Sequence, residues 1–211
     1  MHDIRTVVHF VLLMAAAVLL AGSACLPPVA WHDGLPAWSP PAGKPEASIG
    51  YHRMFWSEVE GSAWYVTPGL RVGLARPPTA VDIGLVSMMA FDGGDFGLLV
   101  GPAFGIGRSD DEMSAMFRAS IYFGAGSGFW PQASVLVGNG YRARGVNLAV
   151  GGRASMLGTG PVAVAGANLG GVELRGELSY MLSMPGSWAT GRALTVGLTV
   201  AAPTGPGPTD K

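Results

Sequence analysis

Residues 114–124 read SAMFRASIYFG. Ala115, Phe117, Ala119, Ile121 and Phe123 fall on one parity, with Ser114, Arg118, Ser120, Tyr122 and Gly124 on the other. A period of two is what a β-strand with unlike surroundings on its two faces requires, because successive side chains point to opposite sides.

The same parity extends outward in both directions. Val81, Ile83, Leu85, Met89 and Phe91 alternate with Asp82, Gly84, Met88 and Ala90. Phe96, Leu98, Val100, Phe104 and Ile106 alternate with Gly97, Gly101, Ala103, Gly105 and Gly107, and Val172, Leu174, Leu178, Tyr180 and Leu182 with Glu173, Arg175, Glu177 and Ser179. Turn signals lie between the runs: Pro77-Pro78, Asp92-Gly93-Gly94-Asp95, Asp110-Asp111, Arg142 to Gly145 and Gly158 to Pro161. The spacing predicts about ten strands (8–10), near 48–55, 63–75, 81–91, 96–107, 114–125, 132–141, 146–156, 161–169, 172–183 and 192–202. Short, regular connections make neighbours antiparallel, so the expected fold is an all-β, up-and-down barrel over residues 47–203.

The second face of these strands decides what surrounds them. A solvent-exposed face would carry many Lys, Glu, Thr and Asn. Here it holds mostly Gly, Ala and Ser, with a sparse set of charges: Arg71, Asp82, Arg118, Arg153, Glu173, Arg175 and Glu177. Lysine occurs only at positions 44 and 211, and charged residues make up 13% of the chain, against about 25% in an average soluble domain. Small residues with a few opposed charges suit the lumen of a narrow barrel whose apolar face meets lipid. The seven charges are therefore expected to line the lumen, chiefly as ion pairs filling it. Runs of nine to twelve residues also match the roughly 9–11 needed by a membrane strand. Aromatics gather near strand ends, at Phe55, Trp56, Trp64, Tyr65, Phe91, Phe96, Phe129, Trp130 and Tyr141, where interfacial girdles would place them. With the faces exchanged, the same alternation describes a soluble barrel with an apolar cavity.

The chain opens differently. Met1 to Arg5 is short and polar, Val7 to Ala21 is apolar except for His9, and Ala21, Gly22, Ser23 and Ala24 precede Cys25, the single cysteine. About fifteen apolar residues are too few to span a bilayer, and the small-residue exit reads as a secretory signal peptide over 1–24. Residues 26–46 then carry Pro27, Pro28, Pro36, Pro40, Pro41 and Pro45. Prolines at that density rule out a helix interior or a sheet centre and predict a semi-rigid tether over 25–46. Trp31 and Trp38 are expected at a membrane interface or against the domain surface. Residues 204–211 read as a disordered polar tail.

On these residues the first segment resembles the bacterial lipoprotein signal family, in which small residues precede a cysteine that is lipidated and becomes the new N-terminus. Ala24 before Cys25 fits; Gly22 stands where that family usually has Leu, and Leu20 supplies the aliphatic. The resemblance implies a lipid on Cys25, of the kind palmitate labelling detects. Ordinary signal cleavage leaving a free thiol is the alternative. Residues 48–202 resemble, at the level of pattern, the small outer-membrane β-barrel proteins of Gram-negative bacteria. The chain's end, Ala201-Ala202-Pro203 and a polar tail, differs from the terminal aromatic strand of that class.

No constellation for catalysis stands out. Past the signal segment the histidines are His32 and His52 alone, too few for a His-rich metal site, and His32-Asp33 has no further ligand pattern around it. Gly126-Ser127-Gly128 has no base to pair with, and Gly138-Asn139-Gly140 lacks the third glycine of a dinucleotide loop. Asp92, Asp95, Asp110, Asp111 and Glu112 miss the EF-hand spacing. With a net charge of −1 and no basic cluster, nucleic acid is not an expected partner. The expectation is a non-enzymatic outer-membrane lipoprotein with no cofactor or metal, a structural or surface role, and membrane lipid as partner. The alternative is a lipid-tethered periplasmic module, lipocalin-like, binding a small apolar ligand.

Overall fold

Ten alternating runs become ten strands in the computed structural model, which describes residues 38–57, 62–92, 95–110, 112–124, 128–139, 145–156, 158–183 and 191–203. They are β1 (Pro45–Trp56), β2 (Ser62–Gly73), β3 (Thr79–Asp92), β4 (Asp95–Ser109), β5 (Met113–Gly124), β6 (Gly128–Asn139), β7 (Val146–Ser155), β8 (Gly158–Leu169), β9 (Val172–Ser183) and β10 (Arg192–Pro203). Each pairs antiparallel with its chain neighbours, and β1 pairs β10 from Glu46↔Pro203 to Trp56↔Ala193. The chain is thus a closed, ten-stranded, up-and-down β-barrel. Closure leaves no sheet edge with unpaired backbone groups.

The expected strands are all present, with boundaries to correct: β6 begins at Gly128 rather than near 132, and Gly158 to Pro161, expected as a turn, opens β8. β1 begins at Pro45, so the tether's expected end at residue 46 falls inside the sheet. Proline is tolerated there because the first residue of a strand need not donate to a ladder. The expected signal peptide over 1–24, Cys25, Trp31, His32, Asp33 and the expected polar tail over 204–211 lie outside the described residues.

The register sets the tilt and width. Tyr51 pairs with Val66, Val66 with Met89 and Met89 with Leu98; carried through all ten strands, the path returns to the line of β1 twelve residues beyond Tyr51. With ~3.3 Å per residue and ~4.8 Å between strands, that offset gives a tilt of about 40° and a backbone radius of about 10 Å. A bore this narrow is filled by side chains reaching in from opposite walls.

The ladders are interrupted at three places, with the register unchanged on either side. Pairing skips Thr67-Pro68 opposite Ser87-Met88, Gly101-Pro102 opposite Ile121-Tyr122, and Gly160-Pro161 opposite Tyr180-Met181. Each gap holds a proline, which has no N–H to give. In two of them a glycine precedes the proline, and a Cβ there would run into the carbonyl oxygen of Ile121 (at Gly101) or of Tyr180 (at Gly160). Part of the glycine excess therefore serves close backbone approach at these gaps. The β8–β9 connection is a two-residue hairpin with Gly170 at φ 63° and Gly171 at φ 96°, left-handed positions that glycine adopts at no steric cost.

The two faces are inverted relative to a protein that packs an apolar core. Ile49 and Tyr51 of β1, Phe104 and Ile106 of β4, Phe117, Ile121 and Phe123 of β5, and Leu194, Val196, Leu198 and Val200 of β10 all point outward and are exposed. Their strand neighbours Arg118, Ser120, Thr195 and Thr199 point inward and are buried. Among described side chains, the charged outward ones on the strands are Arg53, Arg108 and Arg192, each toward a strand end. Twelve residues tilted by 40° make a belt about 30 Å tall.

The end-of-strand aromatics divide between the faces. Phe55, Trp64, Phe123 and Phe129 are outward at the end away from the termini, with Phe123 and Phe129 rings 6.4 Å apart and Trp64 6.0 Å from Tyr51. Tyr65 is wholly buried inside, and Trp56 and Trp130 pack on the interior cluster. The side chains of Phe91 and Phe96, and all of Tyr141, lie outside the described residues.

Candidate functional site

Inward residues stack in three layers along the axis. At the end where the chain enters and leaves lies a layer of charge. β1 supplies Glu46, β2 Arg71, β3 Asp82, β5 Arg118, and β9 both Glu173 and Arg175, which share a face because they are two apart. Arg71 Nε lies 2.9 Å from Glu46 Oε1, and Arg175 Nη2 reaches the same oxygen at 2.8 Å and Glu173 Oε2 at 2.7 Å. Arg118 grips Asp82 with two nitrogens, Nη1 to Oδ1 at 2.8 Å and Nη2 to Oδ2 at 3.1 Å. Arg71 Nη1 lies 3.9 Å from Asp82 Oδ2, joining the two groups. Three guanidinium groups face three carboxylates, so the layer is neutral.

The middle layer is mostly hydroxyl and amide: Ser120, Gln132, Ser134, Ser179 and Thr199, all buried. It holds one further ion pair, Arg153 Nη1 to Glu177 Oε1 at 2.6 Å. His52 Nε2 lies 2.7 Å from Thr67 Oγ1. Both press on Gly50, where a Cβ would collide with them and with Thr199 Oγ1. The third layer, at the far end, is apolar and aromatic: Met54, Tyr65, Met88, Leu99, Tyr122 and Met181, with Trp56 and Trp130 against them.

The charged layer is closed by residues that precede β1. Trp38 is fully buried among Leu136, Ala149, Val162 and Val164. Its indole Nε1 donates to Glu173 Oε2 at 3.3 Å, and the Arg175 guanidinium lies 5.9 Å from its ring centre. Its carbonyl oxygen accepts from Arg71 Nη1 and from Arg118 Nη2, each at 2.8 Å. Ser39 Oγ donates to Asp82 Oδ2 at 2.7 Å. Two glycines make room. A Cβ on Gly166 would stand 3.0 Å from the ring's Cζ2, and one on Gly73 would strike the Pro40 carbonyl. Ala42 bridges Gly73 in parallel, and Gly43 N donates to Gly73 O at 2.8 Å.

All seven charges singled out in the sequence, Arg71, Asp82, Arg118, Arg153, Glu173, Arg175 and Glu177, face inward, are buried and stand in ion pairs. Glu46 and Trp38, which the proline-rich window assigned to the tether, belong to the same network. The parity of β1 held the missing signal for Glu46: it continues the inward series Ser48, Gly50, His52 and Met54. Trp38 had none, since its partners lie far along the chain.

A charge taken out of water is tolerated only with partners, and each inward Arg among the described residues has a carboxylate. Trp38, Tyr65, Arg118, Tyr122, Arg153 and Arg175 are each under 2% exposed. A water-wide bore past them would uncover them, so the arrangement fills and braces the barrel. Of the acidic turn residues, Asp110 is engaged by its own turn, its Oδ1 accepting from Met113 N at 2.8 Å and Glu112 N at 3.1 Å and its Oδ2 from Arg108 Nε at 2.9 Å. Among the described residues no three His, Cys, Asp or Glu side chains gather as a metal site would need. No protein-family model matches the chain, and no curated protein matches it.

Proposed function

We propose that the chain is an integral outer-membrane β-barrel of a Gram-negative envelope, with a non-catalytic structural or surface role and with Cys25 as a second, lipid attachment. The inverted barrel carries this reading. Its outer wall is aliphatic and aromatic, while four arginines and four carboxylates are buried inside it. In water the outer wall would form an exposed apolar surface far beyond the few hundred Å² that soluble monomers tolerate. In a bilayer it faces its own solvent, and the belt of about 30 Å equals the hydrocarbon thickness. Among the described residues, the outward arginines lie toward the strand ends and a set of outward aromatics lies at one rim, where headgroups would meet them. The soluble, lipocalin-like reading needs an apolar lumen and draws no support from a lumen floored with ion pairs.

The test is extraction and migration. The folded chain should leave envelopes only with detergent, and should run differently on gels before and after boiling. Recovery of a Cys25→Ala chain in the salt-washed soluble fraction, folded and monodisperse without detergent, contradicts the membrane reading.

A further inference from the structure

Residues 38–43 are not needed to close the barrel, since β1 and β10 already do so. Yet they fill a seat shaped for them. Arg71 and Arg118 converge on one point, the Trp38 carbonyl oxygen, from two different strands. Gly166 and Arg175 frame the indole, and Glu173 accepts its N–H. The charge balance identifies the kind of ligand. Three arginines already face three carboxylates, so an anion at the convergence point would leave net negative charge in a buried site. A neutral acceptor, a peptide carbonyl, satisfies the donors without adding charge. A cleft of about 400 Å³ also borders the segment, between Ser39 to Ala42 and the stretch around Arg76, Pro77 and Asp110. The segment is thus gripped by lumen side chains and has free space beside it.

We propose that the charged layer is a peptide-binding seat, that its ligand is the chain's own Trp38–Gly43 segment, and that this segment is a separable plug sealing the lumen at its terminal end. The proposal concerns the lumen alone and stands whether or not the outer wall lies in a bilayer. In the full-length chain, Cys25→Ala with Val164→Cys places one thiol in the apolar cluster that Trp38 covers, one inward position along β8 from Gly166. The measurement is the modification rate of that thiol by a charged, membrane-impermeant methanethiosulfonate, with heat-modifiable migration reporting the folded barrel. Trp38→Ala should raise the rate about tenfold or more, the kinetic equivalent of ~1.4 kcal/mol of lost protection. Gly166→Val, which crowds the Trp38 ring and Glu173 Oε1 while leaving the segment's own residues unchanged, should act in the same direction. Trp38→Phe, which keeps a ring but not the N–H donor, should act less. A folded Trp38→Ala or Gly166→Val barrel reacting no faster than its parent overturns the seal. Failure of both Trp38→Ala and Trp38→Phe to yield a folded barrel overturns separability, since the segment would then be part of the fold.

Discussion

The two ends of the lumen solve one packing problem with opposite chemistry. At the far end, Met54, Met88, Met181, Tyr65 and Tyr122 fill the bore as an apolar core would. At the terminal end the same strands present Glu46, Arg71, Asp82, Arg118, Glu173 and Arg175, joined through two shared carboxylates. Methionine adapts its shape to a gap, so the far end tolerates neighbours of many shapes. Guanidinium and carboxylate groups demand fixed geometry and full partnering, and a missing partner leaves a buried charge. The terminal end is complete only when β1, β2, β3, β5, β9 and Trp38 are all in place.

That contrast orders the expected effects of substitution. Asp82→Ala should be the most damaging, because it removes the carboxylate that Arg118 grips with two nitrogens and the more distant of the two beside Arg71; loss of one partner from a buried pair costs about 3–5 kcal/mol. Urea unfolding of the detergent-folded barrel measures it, and raising salt to 1 M should change the result little, since buried pairs are poorly screened. At the far end, Met181→Ala should cost about 2–4 kcal/mol as a cavity. A far-end loss exceeding that of Asp82→Ala would mean the ion pairs do not hold the terminal end. Gly105→Ala ranks third. Its Cβ would stand 2.8 Å from Arg118 Nη1 and 2.9 Å from Asp82 Oδ1, and overpacking of that kind costs about 1–3 kcal/mol.

The smallest effect lies outside the barrel wall, at the β4–β5 turn. The backbone N–H groups of Met113 and then Glu112, with Arg108 behind them, hold the Asp110 carboxyl below the ordinary carboxylate range. A depressed folded-state pKa means the turn's contribution is present above the ordinary value of about 3.9 and is lost as pH falls through the lower, folded-state value. An NMR titration should place the Asp110 midpoint below that of a free aspartate, with faster exchange of the Met113 amide as it protonates. A midpoint at or above the ordinary value contradicts the turn geometry.

How much of this was legible in sequence depends on the range of the interaction. Strand existence is a local property, so the parity of 114–124 and its neighbours located all ten strands to within a few residues. The polarity of the two faces was legible for the same reason, because Gly, Ser and Arg recur on one parity of a chain with almost no lysine. The plug was not. Trp38 and Glu173 are 135 residues apart, and nothing near Trp38 distinguishes a lumen plug from a spacer. Glu46 was missed because Pro40, Pro41 and Pro45 outweighed two further residues of alternation. The aromatics were misjudged as a set, since a girdle residue and a lumen residue at the same strand end differ only in parity: Phe55 and Trp64 are outward, Trp56 and Tyr65 inward.

Parity is also the most direct handle on the inverted barrel. Nitroxide labels placed singly from residue 196 to 201 of β10, in bilayers, report collision with oxygen, which is rich in hydrocarbon, and with a nickel chelate confined to water. Oxygen access should peak at Val196, Leu198 and Val200 and fall at Gly197, Thr199 and Ala201, with the chelate reaching neither set. Chelate access at Val196, Leu198 and Val200 would mean that the apolar wall faces water, and would contradict a barrel turned outward to lipid.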